Sequence, residues 1–244
     1  MTDAPMTDAP MTDAGIKLAV IDADGTAISD DDVVLMAFVE ALGALGLGPE
    51  VAGFDDRMRY VRFSMGRARF DVFQYLLRDA GTARLANRIF EAAVESGIGQ
   101  SEVAPMPGAQ AAIDELRDEG VAVCLVGTMT QRALDRIVAE IGWTDAVDLT
   151  LAPNADLRGR PHPDLVLMAT MRLGIDSVRD VAVVGGTVAS LVAGNRAGAA
   201  TVVGVAADDH EHTLLGATPH THLVRSIGEV PGVLRRVARR RTAA

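Results

Sequence analysis

Short apolar runs recur along the chain and are separated by stretches with helical spacing. Lys17–Asp22 (KLAVID) is such a run, and it ends in a carboxylate shortly before Gly25. A continuous Val/Ile/Ala run suits a strand covered on both faces, as in a parallel sheet. Ala109–Glu119 has helical spacing, with Ala112, Ile113 and Leu116 on one side and Gly120 to end it. Val121–Val126 predicts a second buried strand, Ala133–Ile141 a helix, Val147–Leu151 a strand and Pro163–Leu173 a helix. Val181–Gly185, Leu191–Ala197, Thr201–Val205 and His222–Val224 continue the alternation. Repeated βα units imply a doubly wound, Rossmann-like α/β domain with a parallel sheet. Right-handed crossovers then gather the loops that follow the strands along one edge, where such sheets bind ligands.

The alternation breaks once. From about Asp30 to Pro105 the pattern reads as helices only. Ser29 is placed to cap a helix whose first turn is Asp30, Asp31 and Asp32, acidic residues at the positive end of the helix dipole. Val34, Leu35, Phe38, Val39 and Leu42 give that helix an apolar face, and Asp71–Arg78 and Arg84–Glu95 are also helical in pattern. An all-helical insert between the first and second strands sits over the strand ends, as a lid. The expected organisation is a flexible repeat tail (1–15), an α/β core (16–29 and 106–234), a helical cap (30–105) and a basic tail (235–244).

Composition narrows the classes. The 244 residues are 49% hydrophobic and 23% charged, an ordinary globular balance. No apolar run approaches the roughly 20 residues of a membrane-spanning helix, and the first residues lack the basic and apolar regions of a secretory signal. A cytoplasmic protein with no membrane partner is expected. The net charge of −10 argues against nucleic acid as a partner, because phosphate binding needs a basic face. One cysteine, Cys124, leaves no internal disulfide and no cysteine cluster for a metal. Lys17 is the only lysine, so Schiff-base chemistry has almost no candidate. The first 15 residues repeat Met-Thr-Asp-Ala three times, too short and acidic to bury a core. The five arginines of Arg235–Arg241 read as the solvated end of a last helix.

The strongest chemical signal is Asp22-Ala23-Asp24-Gly25-Thr26. It sets two carboxylates two residues apart where a strand opens into a loop, with a glycine to allow the turn. Calcium loops and Asx-turns share the pattern, but here it ends a buried strand and precedes a helical lid.

With that segment, the chain resembles the haloacid dehalogenase superfamily, and within it the phosphonatase-like hydrolases. The resemblance runs from about Lys17 to Leu234. It rests on IDADGT, the helical insert, GRPHPD (Gly159–Asp164), the Val183–Val205 segment and PHTH (Pro219–His222). It implies a Rossmann-like core with a helical cap, Asp22 as nucleophile, Asp24 as general acid/base, and Arg160 steadying the nucleophile and the bound group. It also implies Mg²⁺ held by the first aspartate, the carbonyl of the second and acidic residues after the fourth strand. A carboxylate attacking a phosphoryl group brings negative charge toward negative charge, so a metal or cationic clamp must offset it.

Three departures fall at the expected site. Where the family reads Gly-Asp-Thr with another Asp four residues on, this chain has Gly185-Gly186-Thr187 and then Ser190. The phosphate-donating Thr or Ser after the second strand aligns with Gly127, with Thr128 next door as a substitute. The cap has no lysine for an imine, and Arg69 stands where related caps often carry one; arginine stays protonated and cannot do that chemistry. Two acids and no metal leave about the same net charge as the usual four acids with Mg²⁺, and Asp22 with one carbonyl is a poor anchor for that ion. No cofactor is therefore expected, with Mg²⁺ disfavoured. Unmetallated carboxylates close together repel, so one tends to take a proton. A neutral acid beside an ionised base suits hydrolysis, elimination or isomerisation of a small molecule.

The remaining candidates are weaker. Arg67 and Arg69, at the family's substrate loop, are candidate anion clamps together with Arg160, Thr128, Gly127, Gly186, Thr187 and Ser190. Arg57, Arg59 and Arg62 read as a solvated face paired with nearby aspartates. The pairs His210/His212 and His220/His222 lack further ligands for a metal. Cys124 and Trp143 read as packing residues. The leading reading is a metal-independent small-molecule enzyme built on Asp22 and Asp24. The alternatives are an ordinary hydrolase with a weak Mg²⁺ site and a catalytically inactive binding or regulatory protein. A homodimer is compatible with all three.

Overall fold

The computed structural model describes residues 15–29, 31–98 and 103–243. The repeat tail up to residue 14, Asp30 and the side chains of Asp31 and Asp32 lie outside that description. The chain opens with β1 (Leu18–Asp22) and β2 (Ile28–Ser29). Four cap helices follow: α1 (Asp31–Ala44), α2 (Phe54–Phe63), α3 (Arg69–Leu77) and α4 (Ala80–Gly97). The core resumes with β3 (Ala104–Pro105), α5 (Ala109–Asp118), β4 (Ala122–Val126), α6 (Gln131–Glu140), β5 (Leu149–Leu151) and α7 (Asp164–Arg172). It ends with β6 (Val181–Gly185), α8 (Val188–Ala197), β7 (Thr201–Val205), α9 (Asp209–Gly216), β8 (His222–Val224) and α10 (Val230–Thr242).

Six strands form one parallel sheet in the order β5-β4-β1-β6-β7-β8. The order reverses at β1, which lies between β4 and β6, so the loop after β1 opens at the crevice where doubly wound sheets take ligands. Side chains alternate between the two faces of each strand. Ala19, Ile21, Val123, Leu125, Ala182 and Val184 join the core with Ile113, Leu116, Leu134 and Ile137 of α5 and α6. Leu18, Val20, Cys124, Val126, Val181 and Val183 pack with Leu165, Val166 and Ala169 of α7 on the other face. Helix α8 approaches so closely that a Cβ on Gly194 would lie 2.9 Å from the Val183 side chain. Cys124 is fully buried within β4, and burial pushes its thiol far above the usual range.

The insert expected to be all helix carries a small addition. Ile28–Ser29 and Ala104–Pro105 pair antiparallel, a two-stranded neck where the chain leaves and re-enters the core. The cap closes on Phe38, Phe73 and Phe90, whose ring centroids lie 4.8–6.0 Å apart. Arg136 of α6 donates to the Glu95 and Ile98 carbonyls at the end of α4, tying cap to core. Nor does the C-terminus detach at residue 235. Helix α10 is continuous, Arg235 pairs with Glu115 and Glu119, and Arg241 reaches Asp180.

Candidate active site

Asp22 is the last residue of β1 and Asp24 lies in the turn that follows. The turn is closed by its own backbone: Ala27 N–H donates to the Asp22 carbonyl, Ile28 N–H to Ala23 and Gly25 N–H to Ile28. Gly25 takes φ +67°, the left-handed region that glycine enters without penalty. Both aspartates are buried, as is Arg160, which is 3% exposed.

The Arg160 guanidinium joins them. Its Nη1 pairs with Asp22 Oδ1, and its Nη2 lies 3.7 Å from Asp24 Oδ2. Ser190 donates its hydroxyl to Asp22 Oδ2 and lies 3.4 Å from Arg160 Nη1. Two buried carboxylates therefore share one buried cation. Burial pushes the Asp22 carboxyl above its ordinary range; Arg160 and the Ser190 hydroxyl pull it back, while Asp24 adds to the rise. Arg160 Nε and Asp24 Oδ1 are buried and have no hydrogen-bond partner among the described residues.

The other expected residues take distinct places. Thr128, read as a substitute phosphate donor, turns both its N–H (2.8 Å) and its hydroxyl to Asp24 Oδ2, so both donors are occupied before a substrate arrives. Gly127 N–H is engaged by the Leu151 carbonyl. Gly186 N–H donates to Thr26 Oγ1 at 2.9 Å. Thr187 caps α8, accepting from Ser190 N–H, and its hydroxyl meets that of Ser190 at 2.7 Å.

Arg69 is buried at the start of α3, over the Phe38 and Phe90 rings at 5.6 and 5.8 Å, with Nη1 near Met65 Sδ. Arg67 is exposed and does not line the cleft, so the two cap arginines grouped by sequence part company. Arg59 pairs with Asp56 on the cap surface.

A cleft of about 430 Å³ opens between cap and core beside this cluster. Arg69, Asn87, Phe90 and Glu91 line it from the cap, and Thr128 and His162 from the core. Sequence reasoning did not single out Asn87, Glu91 or His162. Their only signal was position: Asn87 and Glu91 stand four apart on one face of α4, where they hydrogen-bond at 2.7 Å. Thr26, the last residue of the Asp22–Thr26 segment, has no assigned part in the sequence pattern, yet its hydroxyl accepts the Gly186 N–H.

A parallel sheet with a helical cap, one aspartate ending its central strand, a second in the turn after it and a buried cation between them define a hydrolase architecture. The chain belongs to the haloacid dehalogenase-like hydrolase family, whose model matches residues 16–198. It is 26% identical over 222 residues to "Probable phosphatase IndB" of Dickeya dadantii, covering 88% of this chain and 92% of that protein. It is 26% identical over 199 residues to the phosphonoacetaldehyde hydrolase of Pseudomonas fluorescens, covering 77% and 72%. Its fold matches the crystal structure of a phosphonoacetaldehyde hydrolase-like protein from Oleispira antarctica with a TM-score of 0.79 at 20% identity, covering 98% and 99%.

The family implies a divalent metal held by oxygen donors around Asp22. The loop after β6 offers Gly186, Thr187 and Ser190 and no ionised oxygen. Both Asp22 oxygens already face Arg160 and Ser190. Among the described residues no group of three or more His, Cys, Asp or Glu could hold a metal ion. Mg²⁺ asks for near-octahedral oxygen ligands and gives up water reluctantly. Among the described residues no helix is long and apolar enough to cross a membrane.

Proposed function

We propose that this protein hydrolyses a small phosphorylated molecule at Asp22, with Arg160 as its resident cation and without a bound metal. The observation that carries the reading is the buried guanidinium between Asp22 and Asp24, with its Nε still unbonded. In this reading a phosphoryl oxygen takes that free donor. Asp22 Oδ attacks phosphorus, the bond to the leaving oxygen breaks, and Asp24 supplies the leaving group's proton through its unbonded Oδ1. Asp24, now ionised, takes a proton from the water that opens the aspartyl-phosphate, releasing phosphate and restoring both carboxyls. The ionised form of Asp22 is held by Arg160 and Ser190.

A second reading is a Mg²⁺-dependent phosphatase, favoured by the likeness to a protein named as a probable phosphatase. One experiment separates the two: turnover of a panel of phosphorylated metabolites with EDTA or with Mg²⁺, alongside calorimetric titration of the protein with Mg²⁺. The expected result is turnover that survives EDTA and no Mg²⁺ binding tighter than the millimolar range. A tight, stoichiometric site with turnover abolished by EDTA would establish the second reading.

A further inference from the structure

We infer that Ser190 is a positioning residue for Asp22, and that it acts through a hydroxyl chain whose outer end is covered by the cap at Gly66. The inference rests on the reading of Asp22 as nucleophile and adds how that nucleophile is aimed.

Donor counting sets the direction of the chain. The Ser190 hydroxyl has one proton and three neighbours: Asp22 Oδ2, Arg160 Nη1 at 3.4 Å and Thr187 Oγ1 at 2.7 Å. An ionised carboxylate only accepts and a guanidinium only donates. Ser190 must therefore give its proton to Asp22, which obliges Thr187 to give its own to Ser190. Thr187 Oγ1 in turn accepts the Ser190 backbone N–H at 3.2 Å. Each donor has one acceptor, and the sequence of bonds ends on the carboxylate. Ser190 is 1% exposed, so water does not compete at the inner end.

The cap rests on the outer end, where Thr187 is half-buried. Gly66 has φ +84°, and a Cβ built there would lie 2.5 Å from Thr187 Oγ1 and 2.7 Å from its Cγ2. Only a glycine backbone can rest on Thr187 in this way. Ser64, buried two residues earlier, anchors the turn by donating to the Tyr60 carbonyl at 2.7 Å. Lifting the cap would widen the access of water to Thr187 and through it to Ser190, and the proton order would no longer be unique. Closure and aim are thus one event.

Three substitutions in the full-length chain test this. Crystal structures of Ser190→Ala and Thr187→Val are expected to show the Asp22 carboxylate turned or split between orientations, whereas Thr187→Ser, which keeps the hydroxyl, retains the single orientation. Ser190→Ala leaves the Thr187 cap on α8 in place and decides the matter if Thr187→Val fails to fold. One unchanged orientation of Asp22 in the hydroxyl-less variants overturns the proposal, whatever the substrate. Hydrogen exchange of Gly66→Ala is expected to quicken in residues 60–68 and also in 186–191, with the strands unaffected. Quickening confined to 60–68 overturns the coupling. With p-nitrophenyl phosphate as probe, Ser190→Ala is expected to lower kcat by about 10²-fold with KM within about twofold, and a change in KM alone overturns the positioning role. If the wild-type protein hydrolyses no phosphate ester, the functional reading fails, and the crystallographic and exchange results still decide this one.

Discussion

The loops after β1 and β6 face each other across the site and are built on opposite principles. The β1 loop carries the carboxyl groups, Asp22 and Asp24, on a turn stitched by its own backbone. The β6 loop carries no charge. Its Gly186 amide leans on Thr26, and its Ser190 hydroxyl leans on Asp22. On the proposed function, one loop supplies the reactive groups and the other supplies donors that hold them. The balancing cation comes from a third place, Arg160, ahead of α7. Charge and orientation are thus delivered by separate segments, and each can be removed without removing the other.

The largest effect should come from the charged loop. Asp22→Asn and Asp24→Asn are each expected to lower turnover by at least about 10²–10⁴-fold while leaving the circular dichroism spectrum unchanged. The loss should fall mainly in kcat, because these groups act on the transition state. Full turnover in both variants would make the aspartates remnants and place the chemistry on other residues.

A smaller effect of opposite sign for the two halves of the ion pair sharpens the comparison. Arg160→Ala strands two buried carboxylates and should cost about 3–5 kcal/mol in denaturant unfolding. Asp22→Asn leaves Arg160 with Asp24 as its counter-charge, and its stability at neutral pH should stay level or rise. Equal losses in the two variants would show that packing, not charge, dominates the site.

The smallest effect is the pH dependence. The Asp22 carboxyl is raised in the fold, from 3.8 in the unfolded chain, chiefly by burial. Between those two values the folded state binds more protons than the unfolded state, so this group's contribution to stability declines as pH rises through the window. Below 3.8 the decline vanishes. Thermal unfolding across that range should show the wild type losing stability relative to Asp22→Asn as pH rises.

The legible part of this molecule is periodic. The strand candidate Val181–Gly185 coincides with β6, and the runs at 17–22 and 121–126 overlap β1 and β4 closely, because strands buried on both faces leave few polar interruptions. The aspartates and Arg160 were legible because each stands in a short segment of unusual composition. The neck ribbon was not, since two residues on either side carry no period. The role of Thr128 was not either: a hydroxyl beside a loop looks the same in sequence whether it faces a substrate or Asp24, and only the fold brings residues 24 and 128 into contact. Arg67 and Arg69 are alike in sequence, yet the helix start at Arg69 turns one inward and leaves the other outside.

Cys124 supplies a handle for these measurements. It is the only thiol in the chain, it lies in a strand between β5 and β1, and burial disfavours its reactive thiolate. An alkylating reagent can meet it only when the α/β core itself comes apart. Its labelling rate is therefore a clock for global opening, independent of cap movement, and it can be read by mass spectrometry in a crude extract. The chain thus carries its own stability gauge, with no added dye or engineered site.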